Sequence, residues 1–576
     1  MTLRSVCLPA ILFLAVLLAG CGGAESADLV LRNGTLVTVD DRQPEAEALA
    51  VVGDRIVAVG SNAEVDAYVG PETEVIDLDG KLAVPGFIEG HGHFMSLGDA
   101  QTILDLTQAE TWDDVVQMVA DVAAAAESGT WIRGRGWHQE KWTVPPSPSV
   151  EGTPVHDGLS AVSSDHPVLL KHASGHASFV NAAALEAAGI TADTEAPPGG
   201  EIVRTADGRP TGMLRENAQD AVEAAFAASQ SGRTAEEVAQ AARDRIRLAG
   251  EEALSKGVTS FHDAGSSFEQ IDRFKQMAEA GDLPLRLYVM VRYESNEAMD
   301  AQLPAYRMVG HADHYLTVRS IKRQIDGALG AHGAWLLAPY DDLPQSAGLN
   351  LEPIDEIART AEIALKHGFQ LNTHAIGDRA NREVLDLYEA AFREQLDDPT
   401  QNDLRWRIEH AQHLHPDDIP RFGALNVIAA MQAIHCTSDA PYVVDRLGEE
   451  RAAAGAYMWK DLWETGALVT NGTDAPVEDV DPIASFYATV TRRLDDGATF
   501  YPEQALTREQ ALASYTLNNA VAAFEEDLKG SLTPGKLADI AVLSANIMTV
   551  PAEEIPSAEV THTILGGEVV YRRGVE

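Results

Sequence analysis

Three scarcities limit what this 576-residue chain can be: it has little cysteine, few basic residues and almost no long apolar runs. Cysteine occurs only at Cys7, Cys21 and Cys436, which excludes a disulfide framework. Lysine and arginine number 43 against 88 acidic residues, and the net charge of −45 makes nucleic acid an unfavourable partner. The 45% of hydrophobic residues nevertheless supports a large core and more than one structural unit.

The one long apolar run, "LPAILFLAVLLAG", follows Arg4 at the start of the chain and is too short for a stable membrane span. We interpret residues 1–20 as a secretory signal. The run ends in "LAGC", which resembles the bacterial lipoprotein cleavage box and implies that Cys21 is lipidated and becomes the mature N-terminus. The alternatives are an ordinary signal cut nearby or a tethering helix. The lipoprotein interpretation predicts export across the inner membrane to the periplasm or cell envelope, with a membrane anchor at Cys21.

Both ends of the remaining chain have the pattern of short β-strands. "DLVLRNGTLVTVDD" and "ALAVVGDRIVAVGS" carry the turn pairs Asn33-Gly34 and Gly53-Asp54 between β-rich runs. A second set, "LTPGKLADIAVLSAN" and "VTHTILGGEVVYRRG", lies near the C-terminus. We therefore predict one composite β-sandwich built from residues 28–82 and 530–576.

Residues 83–529 alternate between strand and helix patterns, and eight apolar strand candidates occur in this part of the chain. The eight are "KLAVPGFIEGHGH", "VTSFHDAG", "PLRLYVMVRY", "LTVRSIKRQIDG", "FQLNTHAIGD", "LRWRIEHAQ", "LNVIAAMQ" and "ALVTNGTDAP". Eight strands separated by helices predict an α/β protein with a (β/α)8 TIM-like barrel. The first connection, about residues 105–232, is too long for one crossover helix and predicts an insertion on the active face.

Four histidines and one aspartate fall at the ends of these predicted strands. His91 and His93 share one face of the first strand because side chains alternate along a strand. Two neutral imidazoles held close together supply two of the ligands that a zinc site needs. For this pair considered alone, the alternative to a metal site is two histidines whose ring nitrogens are hydrogen-bonded within a turn. His374, His410 and Asp474 end the fifth, sixth and eighth strands, so a barrel brings all five to one mouth.

These segments resemble the metal-dependent amidohydrolase superfamily, in the amidohydrolase family 3 branch that includes N-substituted formamide deformylases. The resemblance covers most of the chain. It depends on "PGFIEGHGHF", "GRGWHQEKW", "GHASFVNAAAL", "PPGGEIVRTADGRPTGMLRENA", "TSFHDAG", "IKRQIDGALG", "THAIGDRAN", "RIEHAQ", "GTDAP" and "LTPGKLADIAVL".

The resemblance implies a ligand set for one or two divalent ions, with zinc the expected metal. His91, His93 and Asp474 would bind one ion and His374 and His410 a second. Lys322 matches the lysine that can be carbamylated to bridge the two, because a carbamate is anionic and offers two oxygens. The alternative is a barrel-floor lysine paired with a carboxylate such as Asp326, which would leave one ion.

Such a site predicts a hydrolase of non-peptide carbon–nitrogen bonds in amide, N-acyl or formamide-like small molecules. A divalent ion activates water and polarises a carbonyl, and Asp474 would take the proton of the water and pass it to the leaving nitrogen. An esterase or lactonase using the same site is one alternative, and a non-catalytic envelope solute-binding lipoprotein is another. The oligomeric state and the specific substrate are not predicted.

Several further residues are candidates for contact with the substrate. Trp137 and His176 lie in the insertion, where packing of a loop is the alternative for the tryptophan. His262 and Asp263 end the second strand, and Gln432 and His435 follow the seventh. Four histidines away from strand ends are expected at the solvated surface: His311, His314, His413 and His415.

Overall fold

The structure is a computed structural model that describes residues 26–396 and 398–574. The predicted signal segment and Cys21 lie outside these residues. Within them, no helix combines the length and apolar character that crossing a bilayer requires.

Eight parallel strands form the central sheet, and each matches one of the predicted strand segments, with β2 extending one residue beyond its segment. They are β1 (Phe87–Gly92), β2 (Val258–Ser266), β3 (Arg286–Val291), β4 (Leu316–Gln324), β5 (Gln370–Ala375), β6 (Arg407–His410), β7 (Ile428–Gln432) and β8 (Val469–Gly472). Each strand pairs with the next in parallel. At the carboxyl ends of β1 and β8, Asp474 N donates to His91 O at 2.8 Å and His93 N donates to Ala475 O at 2.7 Å. The sheet is therefore a nearly closed barrel, as expected of the TIM-like class.

Helices alternate with these strands and share one apolar core with them. They are Phe94–Ala100, Ala235–Ser255, Phe268–Ala280, Asn296–Tyr306, Ile354–His367, Asp378–Gln395, Ile419–Ala424, Ala433–Leu447, Glu449–Gly455, Trp459–Glu464, Pro482–Thr491, Arg508–Ser514 and Leu517–Ala522. Capping residues fix several ends: Thr234 begins one helix with a reciprocal bond to Glu237, and Gly368 (φ 69°) ends another in the left-handed conformation.

Strands from the two ends of the chain meet in one six-stranded sheet. Its order is Glu568–Arg572, Val560–Leu565, Ile540–Leu543, Leu82–Pro85, Thr35–Val37 and Glu45–Ala46. A four-stranded sheet has the order Arg55–Gly60, Ala48–Val52, Leu29–Arg32 and Glu74–Asp77. Side chains of both sheets, such as Leu49 and Ile540, belong to one buried apolar cluster.

The first predicted strand differs from the structure, since "KLAVPGFIEGHGH" is two strands that belong to different sheets. Leu82–Pro85 pairs with Ile540–Leu543 in the terminal sheet, whereas β1 begins at Phe87 in the barrel. The chain passes from one to the other at Gly86, where a Cβ atom would lie 2.3 Å from Thr259 Oγ1. Periodicity could not reveal this break because both strands are buried and apolar.

The long connection after β1 forms a sheet of its own. Its order is Gly200–Arg204, Pro210–Glu216, Ala177–Val180, Val168–His172, Ile132–Trp137 and Leu104–Asp105. Four helices accompany it: Trp112–Ala123, Asp157–Val162, Ala182–Ala187 and Asp220–Ser229. Two short helices and three short strands occur elsewhere: Asn62–Val65, His311–His314, Ser149–Val150, Thr153–Pro154 and Met308–Gly310.

Candidate metal centre

The five residues expected at strand ends meet at the carboxyl mouth of the barrel. His91 Nε2 lies 3.6 Å and His93 Nε2 3.1 Å from the same oxygen, Asp474 Oδ1. The ring of His410 is 4.8 Å from that of His91 and 4.4 Å from that of His374, measured between centroids. All but His93 are buried.

Two of these residues depend on backbone conformations that side chains rarely adopt. His410 has φ 77° and Asp474 has φ 58°, both in the left-handed region. Histidine and aspartate tolerate this region better than β-branched residues, and such backbone geometry concentrates at functional sites. The left-handed backbone at His410 accompanies an unusual arrangement of consecutive side chains. Glu409 and His410 are neighbours in sequence, yet the side chains of both lie against His91.

The residues present fit a divalent cation. His91, His410 and Asp474 place one ligand atom each within 4.8 Å of one another. His374 Nε2 is buried without a hydrogen bond among the described residues. Burial lowers the pKa of His91, His374 and His410 well below its ordinary value, which keeps these imidazoles neutral and able to donate a lone pair. The triad takes residues from both ion sites that the resemblance implies, so the division into two sites stays a prediction.

A buried carboxylate that sequence reasoning missed lies directly behind His91. Glu409 is fully buried, and its Oε2 is in close contact with His91 Nδ1. A proton on Nδ1 directed at this carboxylate leaves the Nε2 lone pair facing Asp474, and such a partner also raises the basicity of the imidazole. Strand alternation predicts that Glu409 and His410 face opposite sides, and the left-handed backbone at His410 removes that restriction.

A second overlooked carboxylate, Glu89, connects the two strands that close the barrel. Its Oε1 accepts from Thr473 N at 2.6 Å and its Oε2 from Thr473 Oγ1 at 3.0 Å. Burial raises the pKa of Glu89 to about 8. Glu89 shares the inward face of β1 with His91 and His93, so the period-two pattern was the signal that could have found it.

Lys322 reaches the same cluster from β4. Its Nζ lies 3.3 Å from His91 Nε2, and burial lowers its pKa to about 7. The alternative pairing with Asp326 does not occur. Asp326 instead accepts backbone N–H bonds from Trp335, Ile376 and Gly377 at 2.8 to 3.0 Å, and burial raises its pKa to about 7.

A cavity of about 520 Å³ opens onto this cluster, which is within the usual size for a small-molecule site. His93, His374, His410, Asp474 and Lys322 line it from the barrel side. The inserted sheet contributes the opposite wall through His176 and Glu216, among others. The insertion therefore covers the mouth, as its position after β1 predicts.

Residues 74–571 match the family model described as "Amidohydrolase family". The chain belongs to the amidohydrolase family. It is 32% identical to Protein LONG AFTER FAR-RED 3 of Arabidopsis thaliana, over 95% of this chain and 92% of that protein. It is 27% identical to the N-substituted formamide deformylase of Arthrobacter pascens, over 95% of this chain and 98% of the deformylase.

A solved structure resembles the whole molecule as well. An uncharacterized metal-dependent hydrolase from Pyrococcus horikoshii superimposes with a TM-score of 0.71 at 26% identity, covering 91% of this chain and 99% of that chain. Family membership makes the present amidohydrolase a metal-dependent hydrolase that acts on carbon–nitrogen bonds.

Three of the further candidates in this amidohydrolase lie in the cavity or against His410. His176 lines the cavity, and its Nδ1 lies 2.8 Å from Glu216 Oε2. Burial would lower the pKa of His176, but the charge of Glu216 outweighs it and the pKa is raised. Gln432 Oε1 lies 2.6 Å from His410 Nδ1, so it orients a metal-centre residue. His435 stacks on His410 with 6.2 Å between ring centroids.

The two candidates on β2 have different surroundings. Asp263 accepts from Phe94 N at 3.0 Å and from Ser266 Oγ at 2.6 Å, so it holds the backbone beside His93. His262 is fully buried inside the barrel, with its Nδ1 3.2 Å from Arg407 Nη1, and it does not line the cavity. Direct contact between His262 and a substrate is therefore not supported.

The structure supports the packing alternative for Trp137 and shows that the expectation for His413 is wrong. Trp137 is fully buried, donates from Nε1 to Leu170 O at 2.9 Å and packs in the core of the inserted sheet, so it does not line the entrance. His413 is 2% exposed, whereas a solvated position was expected. For His413 no local pattern indicated that a neighbouring element covers the residue.

Proposed function

We propose that this amidohydrolase hydrolyses a non-peptide amide, N-acyl or formamide bond of a small molecule. The observation that carries the proposal is the group of His91, His410 and Asp474, whose ligand atoms lie within 4.8 Å of one another at the mouth of the barrel. The adjoining cavity of about 520 Å³ suits a small molecule. The similarity to a protein named N-substituted formamide deformylase supports this class of bond.

The side chains of the site have two proposed roles, metal binding and proton transfer. His91, His93, His374, His410 and Asp474 would hold one or two divalent cations, for which we propose zinc. When bound, the ion lowers the pKa of water and polarises the acyl oxygen of the substrate. Burial would raise the pKa of Asp474, but the bond with His93 and nearby histidine charges lower it, so the group is a carboxylate at neutral pH. Asp474 accepts the proton of the attacking water and returns it to the leaving nitrogen.

Turnover on matched substrates tests this proposal. The purified amidohydrolase, loaded with zinc, is offered N-formyl and N-acetyl derivatives of simple amines together with the esters of the same acyl groups. Release of amine from the amides, at a higher kcat/KM than alcohol from the esters, is the expected result. Preference for the esters would support an esterase, and binding without turnover would support a solute-binding protein.

We propose that carbamylated Lys322 bridges two ions. Its position 3.3 Å from His91 Nε2, away from Asp326, supports this role. Metal content per chain, measured for the wild type and Lys322→Ala, decides the number of ions. About two ions that fall in the variant support the bridge. About one ion in both proteins leaves a mononuclear site with an unmodified lysine.

For the whole protein we propose an exported lipoprotein of the periplasm or cell envelope, anchored through Cys21, that is cleaved after residue 20. The two terminal sheets, residues 28–82 and 530–576, are proposed to form one β-sandwich beside the barrel of residues 83–529. Mass spectrometry of the N-terminal peptide from the native host tests the anchor. A lipid-modified peptide beginning at Cys21 is expected, and an unmodified N-terminus in the wild type would refute it.

A further inference from the structure

Arg292 stands out among the charged residues that line the catalytic cavity. It follows β3 directly, its backbone N donates to Ser266 O at 2.9 Å, and its side chain shares the cavity with Lys322 and His374. The guanidinium lies 4.8 Å from the ring centroid of Tyr293, and one of its nitrogens donates to Gln324 Oε1. The arginine is thus held by a neutral amide and an aromatic ring.

The fold makes room for this side chain. Gly265, at the end of β2, has φ 135°, and a Cβ atom there would lie 2.3 Å from Arg292 Cδ. Tyr293 has φ 67° and is 67% exposed at the rim, an unusual position for an aromatic residue. These two backbone features keep the guanidinium at the cavity wall.

No carboxylate forms an ion pair with Arg292 anywhere in residues 26–396 and 398–574. Two other cations of the same cavity, by contrast, are paired with acids. Arg323 and Lys171 line the same cavity and pair with Glu352 at 3.7 Å and Glu223 at 2.8 Å. Arg135 also lines the cavity without an ion pair among the described residues, but its guanidinium donates to the carbonyl oxygens of Pro476 and Ala173, whereas that of Arg292 has only the side-chain amide of Gln324.

The acids of the cavity are mostly engaged elsewhere. Glu216 contacts His176, Glu294 accepts from Phe268 N at 2.9 Å, and Asp474 belongs to the metal centre. Together with the two ion pairs, this accounts for every cavity acid except Asp220. A bound divalent ion would face the unpaired cation Arg292 across the cavity, and two like charges in one cavity favour an anionic ligand.

We propose that the substrate carries a carboxylate that binds Arg292, so that N-acyl amino acids are preferred over neutral amides. This inference rests on the proposed function and adds the chemical class of its substrate. The planar guanidinium fork matches the two oxygens of a carboxylate, and its stacking on Tyr293 holds it in one orientation. Both Arg292 and the metal centre line one cavity, so one molecule can reach the two.

The test compares two substrates that differ only by the carboxylate, N-acetylphenylalanine and N-acetylphenethylamine. The wild type is expected to have a kcat/KM at least tenfold higher for the acid. In Arg292→Gln, KM for the acid should rise roughly 10- to 100-fold, because a charge-assisted hydrogen bond is lost. The rise in KM for the neutral amide in the same variant should be at least tenfold smaller. Arg359→Gln, an exposed arginine on helix Ile354–His367, is the matched control.

Binding supplies a second measurement that does not need turnover. Calorimetric titration of N-acetylphenylalanine into zinc-loaded wild type and Arg292→Gln should show affinity that the variant loses, and Arg292→Lys should restore part of it. Equal binding in all three proteins, or no binding to the wild type, overturns the inference. Turnover of the neutral amide alone would overturn the inference and leave the proposed function standing. Absence of any turnover, with binding that depends on Arg292, would refute only the proposed reaction.

Discussion

The contact between Glu409 and His91 allows a sharp test of how the protein prepares its metal ligands. The Glu409 carboxylate is fully buried beside His91 Nδ1, so solvent screens it little. Glu409→Gln keeps the shape and an oxygen acceptor but removes the charge. His91 then remains in place while its Nε2 becomes a weaker base and a weaker ligand.

Loss of such a carboxylate partner lowers metal affinity by roughly 10- to 100-fold, which corresponds to about 1.4 to 2.7 kcal/mol. We expect the upper part of this range because the contact is buried. Competition for zinc with a chromogenic chelator measures the affinity. Burial raises the pKa of Glu409, so the carboxylate is costly to bury and the neutral amide should not destabilise the metal-free protein.

Glu251→Gln, on the exposed side of helix Ala235–Ser255, is the control and should leave zinc affinity unchanged. An affinity of Glu409→Gln equal to that of the wild type would refute the role of the buried carboxylate. A loss of thermal stability in the metal-free variant as large as the loss of zinc binding would instead assign Glu409 a structural role.

Three further predictions concern single residues. In metal-loaded Asp474→Asn, kcat should fall by roughly 10²- to 10⁴-fold, and unchanged turnover would exclude Asp474 as the proton acceptor. Burial lowers the pKa of His413 to about 3, so between that value and about 6.5 the unfolded chain binds a proton that the folded chain does not. The contribution of His413 to the free energy of unfolding is therefore fully present at pH 8 and smaller by about 2 kcal/mol at pH 5. In denaturant titrations at both pH values, His413→Leu should reduce the pH-dependent loss of stability by about this amount. Gly98→Ala would place a Cβ atom 1.9 Å from Arg245 O and should lower the thermal unfolding midpoint, whereas Gly158→Ala, in open space, should not.

Much of the fold could be read from local patterns. The helix preceding β2 is bounded by Thr234 with Glu237 at one end and by Gly257 just past the other, and these caps are short-range features. The eight barrel strands are buried apolar runs with turn residues around them, which periodicity detects. The break at Gly86 escaped this approach because two apolar strands follow each other directly, and only their partners differ.

For the candidate site, too, some features follow from local patterns and others depend on long-range packing. Local patterns were enough to place His91, His93, His374, His410 and Asp474 at strand ends, and the repeated strand–helix order predicts that those ends meet. Packing of the folded chain sets four other features: Glu409 lies behind His91, Lys322 does not pair with Asp326, Trp137 is buried in the core, and Arg292 has no acidic partner among the described residues. Most of these are distances between residues far apart in the chain, although Lys322 and Asp326 are only four residues apart. Such distances depend on side-chain packing and on left-handed backbone at His410 and Asp474, which no local pattern of residues encodes.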